Sequence, residues 1–241
     1  MIFEPIKRLP LSVEIADEIK KAISNCQYSC GDKLPSEREL TEQFGVSRTT
    51  VRDALTTLQA NGLITIKKGK NAGAYVIRPT ADPIIENFQN LIRYGMIDFS
   101  HLIDARRYIE PKAAQTAAQS HTEKDIATIE RLLDLAEEHL SVSWRKARLI
   151  NVSFHSEVAK LTNNKLIIHI TESVTQAFSF AIIDKTEHLL DRNTIYNFIN
   201  EHRAILEKIK SRDPEGAFTA SEQHLLCTLQ TYSSFISQNN E

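Results

Sequence analysis

The chain has few of the residues that cross-link or interrupt a fold. Only three of its 241 residues are cysteines, Cys26, Cys30 and Cys227. An odd, scattered set of this kind is neither a disulfide framework nor a four-thiolate zinc site, so we expect reduced thiols. The whole chain also contains only seven glycines and seven prolines, which favours long, uninterrupted helices.

Long apolar runs are missing as well. No segment approaches the roughly 18–20 consecutive apolar residues that a membrane span needs. The first ten residues, MIFEPIKRLP, carry charges where a signal peptide would have its apolar stretch. We therefore expect a cytoplasmic protein without membrane contact, and its 41% of hydrophobic residues is enough for a buried core.

The net charge of −2 is small, but it is unevenly distributed. Residues 1–78 carry 12 basic and 9 acidic side chains, whereas residues 79–241 carry 17 basic and 22 acidic ones. A basic segment joined to an acidic one is typical of a protein whose first part alone meets phosphates. We expect one domain at 1–78, a proline-bearing linker at 79–83 and a second domain at 84–241.

The first domain has the sequence signals of three short helices. Apolar residues at spacings of three and four over 11–26 predict the first helix. Ser36 and Glu39 form the pair that caps the start of a second helix, which Gly45 ends. Ser47 is a favourable N-cap for a third helix, so the tight break between the last two helices predicts a helix-turn-helix.

A β-hairpin should follow the third helix. Residues 63–66 and 74–77 have the composition of two strands, and the glycine-containing basic segment 67–73 lies between them. A hairpin in this position is the wing of a winged helix-turn-helix.

The start of the third helix carries short hydroxyls and one guanidinium. This is the end of a recognition helix that enters the major groove, where arginine can bind guanine through two hydrogen bonds. The sequence therefore predicts base contacts here, foremost from Arg48, with Ser47, Thr49 and Thr50 beside it.

Two further kinds of DNA contact are expected. Arg52, one turn further along the third helix, and Arg38 on the preceding helix can reach phosphates. In the wing, Lys68 and Gly69 are positioned to approach the minor groove.

The second domain has helical signals and almost no strand signals. We predict an all-α bundle of six or seven helices, which makes the whole chain mainly α. The predicted helices are at about 83–95, 99–119, 123–141, 143–162, 165–188, 194–211 and 214–237.

Four polar residues stand in apolar surroundings within this bundle. Asn151 and His155 are four residues apart and share a helix face, next to the apolar Phe154. His202 and His224 lie on the last two helices, which can pack antiparallel. A cluster of three neutral imidazoles suits zinc, nickel or a similar ion. The alternative is that each histidine is an ordinary buried structural residue.

Residues 8–78 resemble the winged helix-turn-helix of the GntR family. The resemblance is carried by the leucine-proline-serine-glutamate-arginine run at 34–38, S-R-T-T-V-R at 47–52 and G-L-I at 62–64. It implies contacts to operator DNA from Arg38, Ser47, Arg48, Thr50, Arg52, Lys68 and Gly69. The wing tip is slightly longer here than in the family pattern.

Residues 84–230 resemble the FCD ligand-binding domain of the FadR subgroup. The matching positions are Arg106-x-x-x-Glu110, N-x-x-F-H at 151–155, His202 and the stretch 213–224. The resemblance implies that Arg106 meets the effector. The alternative for Arg106 is an i,i+4 pair with Glu110 on an exposed face.

In metal-containing FCD domains an aspartate and three histidines bind a divalent ion. These ligands correspond to Asn151, His155, His202 and His224, so asparagine stands at the aspartate position. Loss of the anionic ligand should lower metal affinity, although an amide oxygen still coordinates weakly. The uncompensated charge of the ion should then favour a carboxylate effector.

Together these features predict a ligand-responsive transcription regulator, in the first instance a repressor, and not an enzyme. It should bind a near-palindromic operator as a homodimer and respond to a small carboxylate through a divalent metal, zinc or nickel. One alternative is a metal-free sensor of an acyl-coenzyme A or another ligand. A zinc-dependent hydrolase is more remote, because no acid or base stands at a recognisable spacing from the histidines.

Overall fold

The computed structural model describes the backbone of residues 9–186 and 191–238 and the side chains of residues 9–181 and 191–234. The chain divides into two compact units, Met1–Pro83 and Ile84–Glu241. Within the described residues, no helix combines the length and the apolar character needed to cross a membrane.

The first unit is a three-helix domain with a β-hairpin. Its elements are α1 (Leu11–Ser24), α2 (Glu37–Phe44), α3 (Arg48–Ala60), β1 (Ile64–Lys67) and β2 (Gly73–Val76). The two strands are antiparallel and pair Ile64 with Val76, and a short 3-10 turn lies between them. The predicted winged helix-turn-helix is confirmed, with each strand shifted by one residue from its expected position.

Local hydrogen bonds explain where α2 and α3 begin and end. The Ser36 hydroxyl accepts the Glu39 amide at 3.3 Å, and the Glu39 carboxylate accepts the Ser36 amide at 2.7 Å, which is the predicted capping box. Gly45 ends α2 at a φ of 63°, a left-handed conformation that favours glycine. The Ser47 hydroxyl then accepts the Thr50 amide at 3.2 Å and caps α3.

One face of α3 forms the centre of the first core. Val51, Ala54, Leu55 and Leu58 are buried at the spacing of a single helix face. They belong to one apolar cluster with Ile15, Ala16, Ile19, Leu34, Leu40, Ile64, Ala74 and Val76. The opposite face of α3 is therefore held rigidly toward solvent.

The second unit is a bundle of seven described helices, as predicted. They are α4 (Asp82–Arg93), α5 (Phe99–Ser120), α6 (Glu123–His139), α7 (Trp144–Lys160), α8 (Lys165–Thr186), α9 (Arg192–Lys210) and α10 (Pro214–Gln238). Each boundary lies within two residues of its predicted position, except that predicted residues 187 and 188 fall outside the described chain. Because α4 begins at Asp82, the last two residues of the expected linker belong to a helix.

Two apolar clusters fill the bundle, and polar residues separate them along the chain. On α9, Ile195 and Ile199 belong to one cluster, Ile205 and Ile209 belong to the other, and His202 lies between them. On α5 the same division falls at Arg106 and Glu110, after Ile103 and before Ala114. The buried polar side chains of the bundle thus gather where the two apolar clusters end.

Candidate DNA interface and candidate metal and effector site

The start of α3 presents the side chains predicted to read bases. Ser47, Arg48 and Thr49 are exposed, and Thr50 is half-buried. The hydroxyls of Ser47 and Thr50 lie 2.8 Å apart and form a hydrogen bond, so both are partly engaged in capping the helix. Among the described residues, Arg48 has no hydrogen-bond or ion-pair partner, and its guanidinium is therefore available to a ligand.

The other predicted DNA contacts lie on exposed parts of the same unit. Arg52 Nε is 2.8 Å from Glu37 Oε2, so the second arginine of α3 is held by a carboxylate from α2. Arg38 is mostly exposed and has a loose contact to Glu42 at 3.9 Å. In the wing, Lys68 is exposed, and Gly69 has a φ of 85° with open space where a side chain would be.

The structure brings the three predicted histidines together. His155 from α7, His202 from α9 and His224 from α10 are all buried, and one ligand atom from each lies within 4.8 Å of the others. His202 Nε2 and His224 Nε2 are 3.1 Å apart. This cluster is the group of side chains in the described bundle that is suited to a divalent metal.

Hydrogen bonds orient all three imidazoles in the same way. His155 Nδ1 lies 2.9 Å from Glu110 Oε2, His224 Nδ1 lies 2.6 Å from Glu201 Oε2, and His202 Nδ1 lies 2.8 Å from Asn151 Oδ1. Carboxylate and amide oxygens accept, so each ring carries its proton on Nδ1 and a lone pair on Nε2. Such outer partners are typical of metal-binding histidines, because they fix the tautomer and increase the basicity of the ligand nitrogen.

The spacing of two of the three histidines fits a divalent ion. On a tetrahedral zinc with N–Zn bonds of about 2.05 Å, two ligand nitrogens are roughly 3.3 Å apart, close to the observed separation of the His202 and His224 Nε2 atoms. Two lone pairs facing each other at that distance repel unless a cation lies between them. Burial lowers the pKa of His155 to about 4, against the attraction of Glu110, and keeps the ring neutral, as a metal ligand must be.

Asn151 lies beside the cluster, but its oxygen is already engaged. Its Oδ1 accepts the Nδ1 hydrogen of His202, so in this arrangement the amide orients a ligand. The sequence placed Asn151 among the ligands themselves. The observed contact supports a positioning role for Asn151, and direct coordination would require the amide to leave His202.

Arg106 and Glu110 form a buried ion pair. Arg106 Nε and Nη2 donate to the two Glu110 oxygens at 2.7 and 3.2 Å, and Arg106 is only 3% exposed. The i,i+4 pair considered above therefore exists, but inside the bundle and not on an exposed face. Burial alone would raise the pKa of Glu110, but the Arg106 guanidinium with His155 beside it holds that pKa well below its usual range.

A small cavity connects these groups. Its volume is about 30 Å³, room for one or two waters or a metal ion and far below the roughly 300 Å³ of a typical ligand pocket. It is lined by Arg106, Arg148, Asn151, Val152, His155, Phe178, Ile195, Phe198, His202, His224, Thr228 and Tyr232. A small organic effector can enter only if some of these side chains move.

Three residues of this site were missed by sequence reasoning. Glu201, whose carboxylate accepts a hydrogen bond from His224, directly precedes His202. That neighbouring position was the only sequence signal for Glu201. Arg148 lies three residues before Asn151 and therefore on the same face of α7, a spacing that would have revealed it. Tyr232 lies two turns after His224 on α10, but no sequence pattern marked it.

The chain matches two families over two separate segments. Residues 11–76 match the family described as bacterial regulatory proteins, gntR family, and residues 101–226 match the FCD domain. The first match lies within the first unit, and the second match lies within the second unit.

Curated relatives are transcription regulators. The "Uxu operon regulator" of Haemophilus influenzae is 33% identical over 213 residues, covering 88% of this chain and 77% of the relative. The "Exu regulon transcriptional regulator" of Escherichia coli is 30% identical, covering 88% and 80%. The "HTH-type transcriptional repressor NanR" of Cronobacter sakazakii is 29% identical, covering 95% and 87%.

A solved structure shares the fold. "Streptococcus agalactiae GntR" aligns with a TM-score of 0.63 at 24% sequence identity, over 90% of this chain and 98% of that one. At this level of identity the likeness extends to the fold alone.

Proposed function

Since the chain belongs to the GntR family of DNA-binding transcription regulators and carries an FCD domain, we propose that it is a repressor released by a small carboxylate. The DNA-binding part of this proposal rests on the exposed start of α3, where the Arg48 guanidinium has no partner among the described residues. A relative whose printed name is transcriptional repressor supports the sign of regulation. Operator binding would take place in the cytoplasm.

The DNA contacts follow from the geometry of α3 and the wing. Arg48 would bind a guanine edge in the major groove, where a bidentate contact contributes about 1–3 kcal/mol of discrimination. Ser47, Thr49 and Thr50 would contact bases or nearby phosphates. A homodimer would place two copies of α3 on two halves of a near-palindrome.

The remaining predicted contacts would position the protein on the duplex. Arg52 and Arg38 would bind phosphates, and Lys68 with Gly69 would approach the minor groove from the wing. Each phosphate contact should make binding more salt-dependent without changing which sequence is preferred.

In the second unit we propose a divalent metal, zinc or nickel, held by His155, His202 and His224. The observation that supports it is the common orientation of the three imidazoles by Glu110, Asn151 and Glu201. A bound ion would supply positive charge and an open coordination position for an effector oxygen. Arg106, which lines the same cavity, is the effector contact that the family resemblance implies.

An effector would act by shifting a population. Because the cavity described here is too small for an organic acid, the effector must bind a more open arrangement of the bundle. It can change operator affinity only by its difference in affinity for the DNA-competent and DNA-incompetent arrangements. A metal-free acyl-coenzyme A sensor remains the alternative, and the orienting partners on all three imidazoles favour the metal.

Metal analysis tests the second half of the proposal. Untagged protein purified without chelator should contain close to one zinc or nickel per chain by mass spectrometry. The variant His155→Ala/His202→Ala should contain none, while His139→Ala, a histidine of α6 outside the cluster, should retain it. Wild-type protein that stays metal-free after incubation with zinc would contradict the metal assignment.

DNA selection tests the first half. Wild-type protein should enrich a near-palindromic sequence from a random duplex library, and Arg48→Ala should enrich it more weakly, with a relaxed preference at one base pair. If the wild-type protein enriches no sequence, the proposed sequence-specific binding through α3 is wrong. This conclusion does not depend on the metal content of the protein.

A further inference from the structure

The cavity contains a second arginine whose charge is not matched. Arg148 on α7 is only 6% exposed and lines the cavity together with the three histidines. Its Nη2 atom has no hydrogen-bond partner within the described part of the chain. No carboxylate among the described residues forms an ion pair with it.

The contrast with Arg106 is informative. Both guanidinium groups are buried and line the same cavity, but Arg106 donates twice to Glu110 and is neutralised by it. Arg106 also lies over the Phe178 ring at 4.9 Å, so its position is fixed on two sides. An anion that enters the cavity therefore meets one satisfied guanidinium, that of Arg106, and one unsatisfied guanidinium, that of Arg148.

Tyr232 lines the same cavity as Arg148. Burial raises the pKa of the Tyr232 phenol, Arg148 is one of the two arginines that act against this rise, and the tyrosine ring contacts Phe178 and Phe198. The neutral phenol gives Arg148 no counter-charge. A buried charge left without a counter-ion is unfavourable in the free protein unless a ligand supplies the anion.

We propose that Arg148 is the receptor for the carboxylate of the effector, and that Arg106 instead positions Glu110 and His155. This inference rests on the proposed function in taking the cavity as the effector site. The effector would then have two recognition groups, a carboxylate for Arg148 and hydroxyl or carbonyl oxygens for the metal held by the histidines. Hydroxy acids have that chemistry, whereas simple polyols lack the carboxylate.

Gluconate is a suitable probe, because it combines one carboxylate with a chain of hydroxyls, and sorbitol matches it without the carboxylate. Both compounds, and inorganic phosphate, would be titrated into zinc-incubated full-length protein while thermal unfolding is followed. Arg148→Met removes the guanidinium, and Arg148→Lys keeps the charge without the two-pronged geometry. Arg145→Met is the matched control, because Arg145 lies on the same helix but is exposed and does not line the cavity.

We expect gluconate, and not sorbitol, to raise the unfolding temperature of the wild type and of Arg145→Met. In Arg148→Met the gluconate concentration that gives half of this effect should rise by at least about tenfold, the loss expected for one charge-assisted contact. Arg148→Lys should fall between the two. Equal protection of Arg148→Met and the wild type, or no protection of the wild type, would overturn the assignment.

The free protein gives a second, ligand-independent readout. Without gluconate, Arg148→Met should unfold at the same or a higher temperature than the wild type, because an unmatched buried charge has been removed. Arg106→Met should unfold at a clearly lower temperature, because Glu110 is left unpaired. If Arg148→Met is destabilised as much as Arg106→Met, Arg148 is a structural residue and the proposal fails.

Two outcomes separate this inference from the proposed function. Protection by phosphate but not by gluconate would overturn the carboxylate assignment, even if operator binding and zinc content are as proposed. Gluconate could also protect zinc-free wild-type protein but not zinc-free Arg148→Met. That result would contradict the proposed role of the metal and would support Arg148 as the carboxylate receptor.

Discussion

The first unit presents its functional side chains on the outside of a small apolar core, whereas the second unit encloses its functional side chains within a bundle. Arg48 is exposed and has no partner among the described residues. Arg106 is 3% exposed, and its guanidinium is bound to a carboxylate that in turn binds His155. Substitutions in the first unit should therefore change DNA binding alone, whereas substitution of a paired charge such as Arg106 in the second should change stability and ligand binding together.

The largest expected effect is in the second unit. Arg106→Met should lower the free energy of unfolding by about 3–5 kcal/mol, because Glu110 would be left as an unpaired buried charge. Urea denaturation at neutral pH measures this change. Arg106→Met/Glu110→Leu removes both charges and should recover much of the loss, whereas a single-variant loss below about 1 kcal/mol would mean that the pair behaves as an exposed one.

Arg48→Ala should have the opposite profile. We expect operator affinity to fall by about 1–3 kcal/mol, with relaxed preference at one base pair, and the free energy of unfolding to change by less than about 0.5 kcal/mol. Fluorescence anisotropy on the selected operator and a urea titration measure the two quantities. Lys21→Ala, on the exposed side of α1, should alter neither, and a large loss of stability in Arg48→Ala would contradict the comparison.

Asn151→Asp tests how far the buried site depends on charge. A carboxylate facing His202 should increase zinc affinity about tenfold, in the range of changes to the outer partners of metal ligands. It should also weaken binding of gluconate, because the site becomes less positive. Competition with a zinc chelator and calorimetry measure the two affinities. Ser153→Asp adds the same charge on the exposed side of α7 and should leave both unchanged, and unchanged gluconate affinity in Asn151→Asp would contradict the charge argument.

The smallest effect is expected for the exposed pair of Glu37 and Arg52. Glu37→Gln should change stability by less than about 1 kcal/mol, because exposed ion pairs contribute little. Operator affinity should rise slightly, because Arg52 is released for phosphate and a negative charge is removed. Anisotropy at two salt concentrations checks this, with Glu18→Gln on α1 as the control for loss of an exposed acid. Weaker binding by Glu37→Gln would show that Glu37 instead positions Arg52.

Much of the fold was accessible because its signals are local. The pair Ser36 and Glu39, the helix end at Gly45 and the cap at Ser47 each involve residues within a few positions of one another, and all three were predicted from the sequence and are observed. Helices of the second unit followed in the same way from apolar spacing and from breakers such as Asn163. The strands were displaced by one residue, because cross-strand pairing and not composition decides where a hairpin ends.

The candidate site was accessible only in part. The approach of His155, His202 and His224 was expected from helix spacing, and the structure brings them together. Their outer partners were not expected as such, because Glu110 and Glu201 reach the histidines across helix interfaces. For the same reason the sequence could not distinguish an exposed Arg106–Glu110 pair from the buried one that is observed.

The amino-acid sequence by itself determined the family, the winged helix-turn-helix and the helical bundle, since caps, breakers and apolar periodicity act over a few residues. Tertiary structure decided what the polar residues of the bundle do. Packing of α5, α7, α9 and α10 neutralises Arg106, leaves Arg148 without an anion and turns the lone pairs of His202 and His224 toward each other. These are properties of distance and burial between distant segments, which no local pattern encodes.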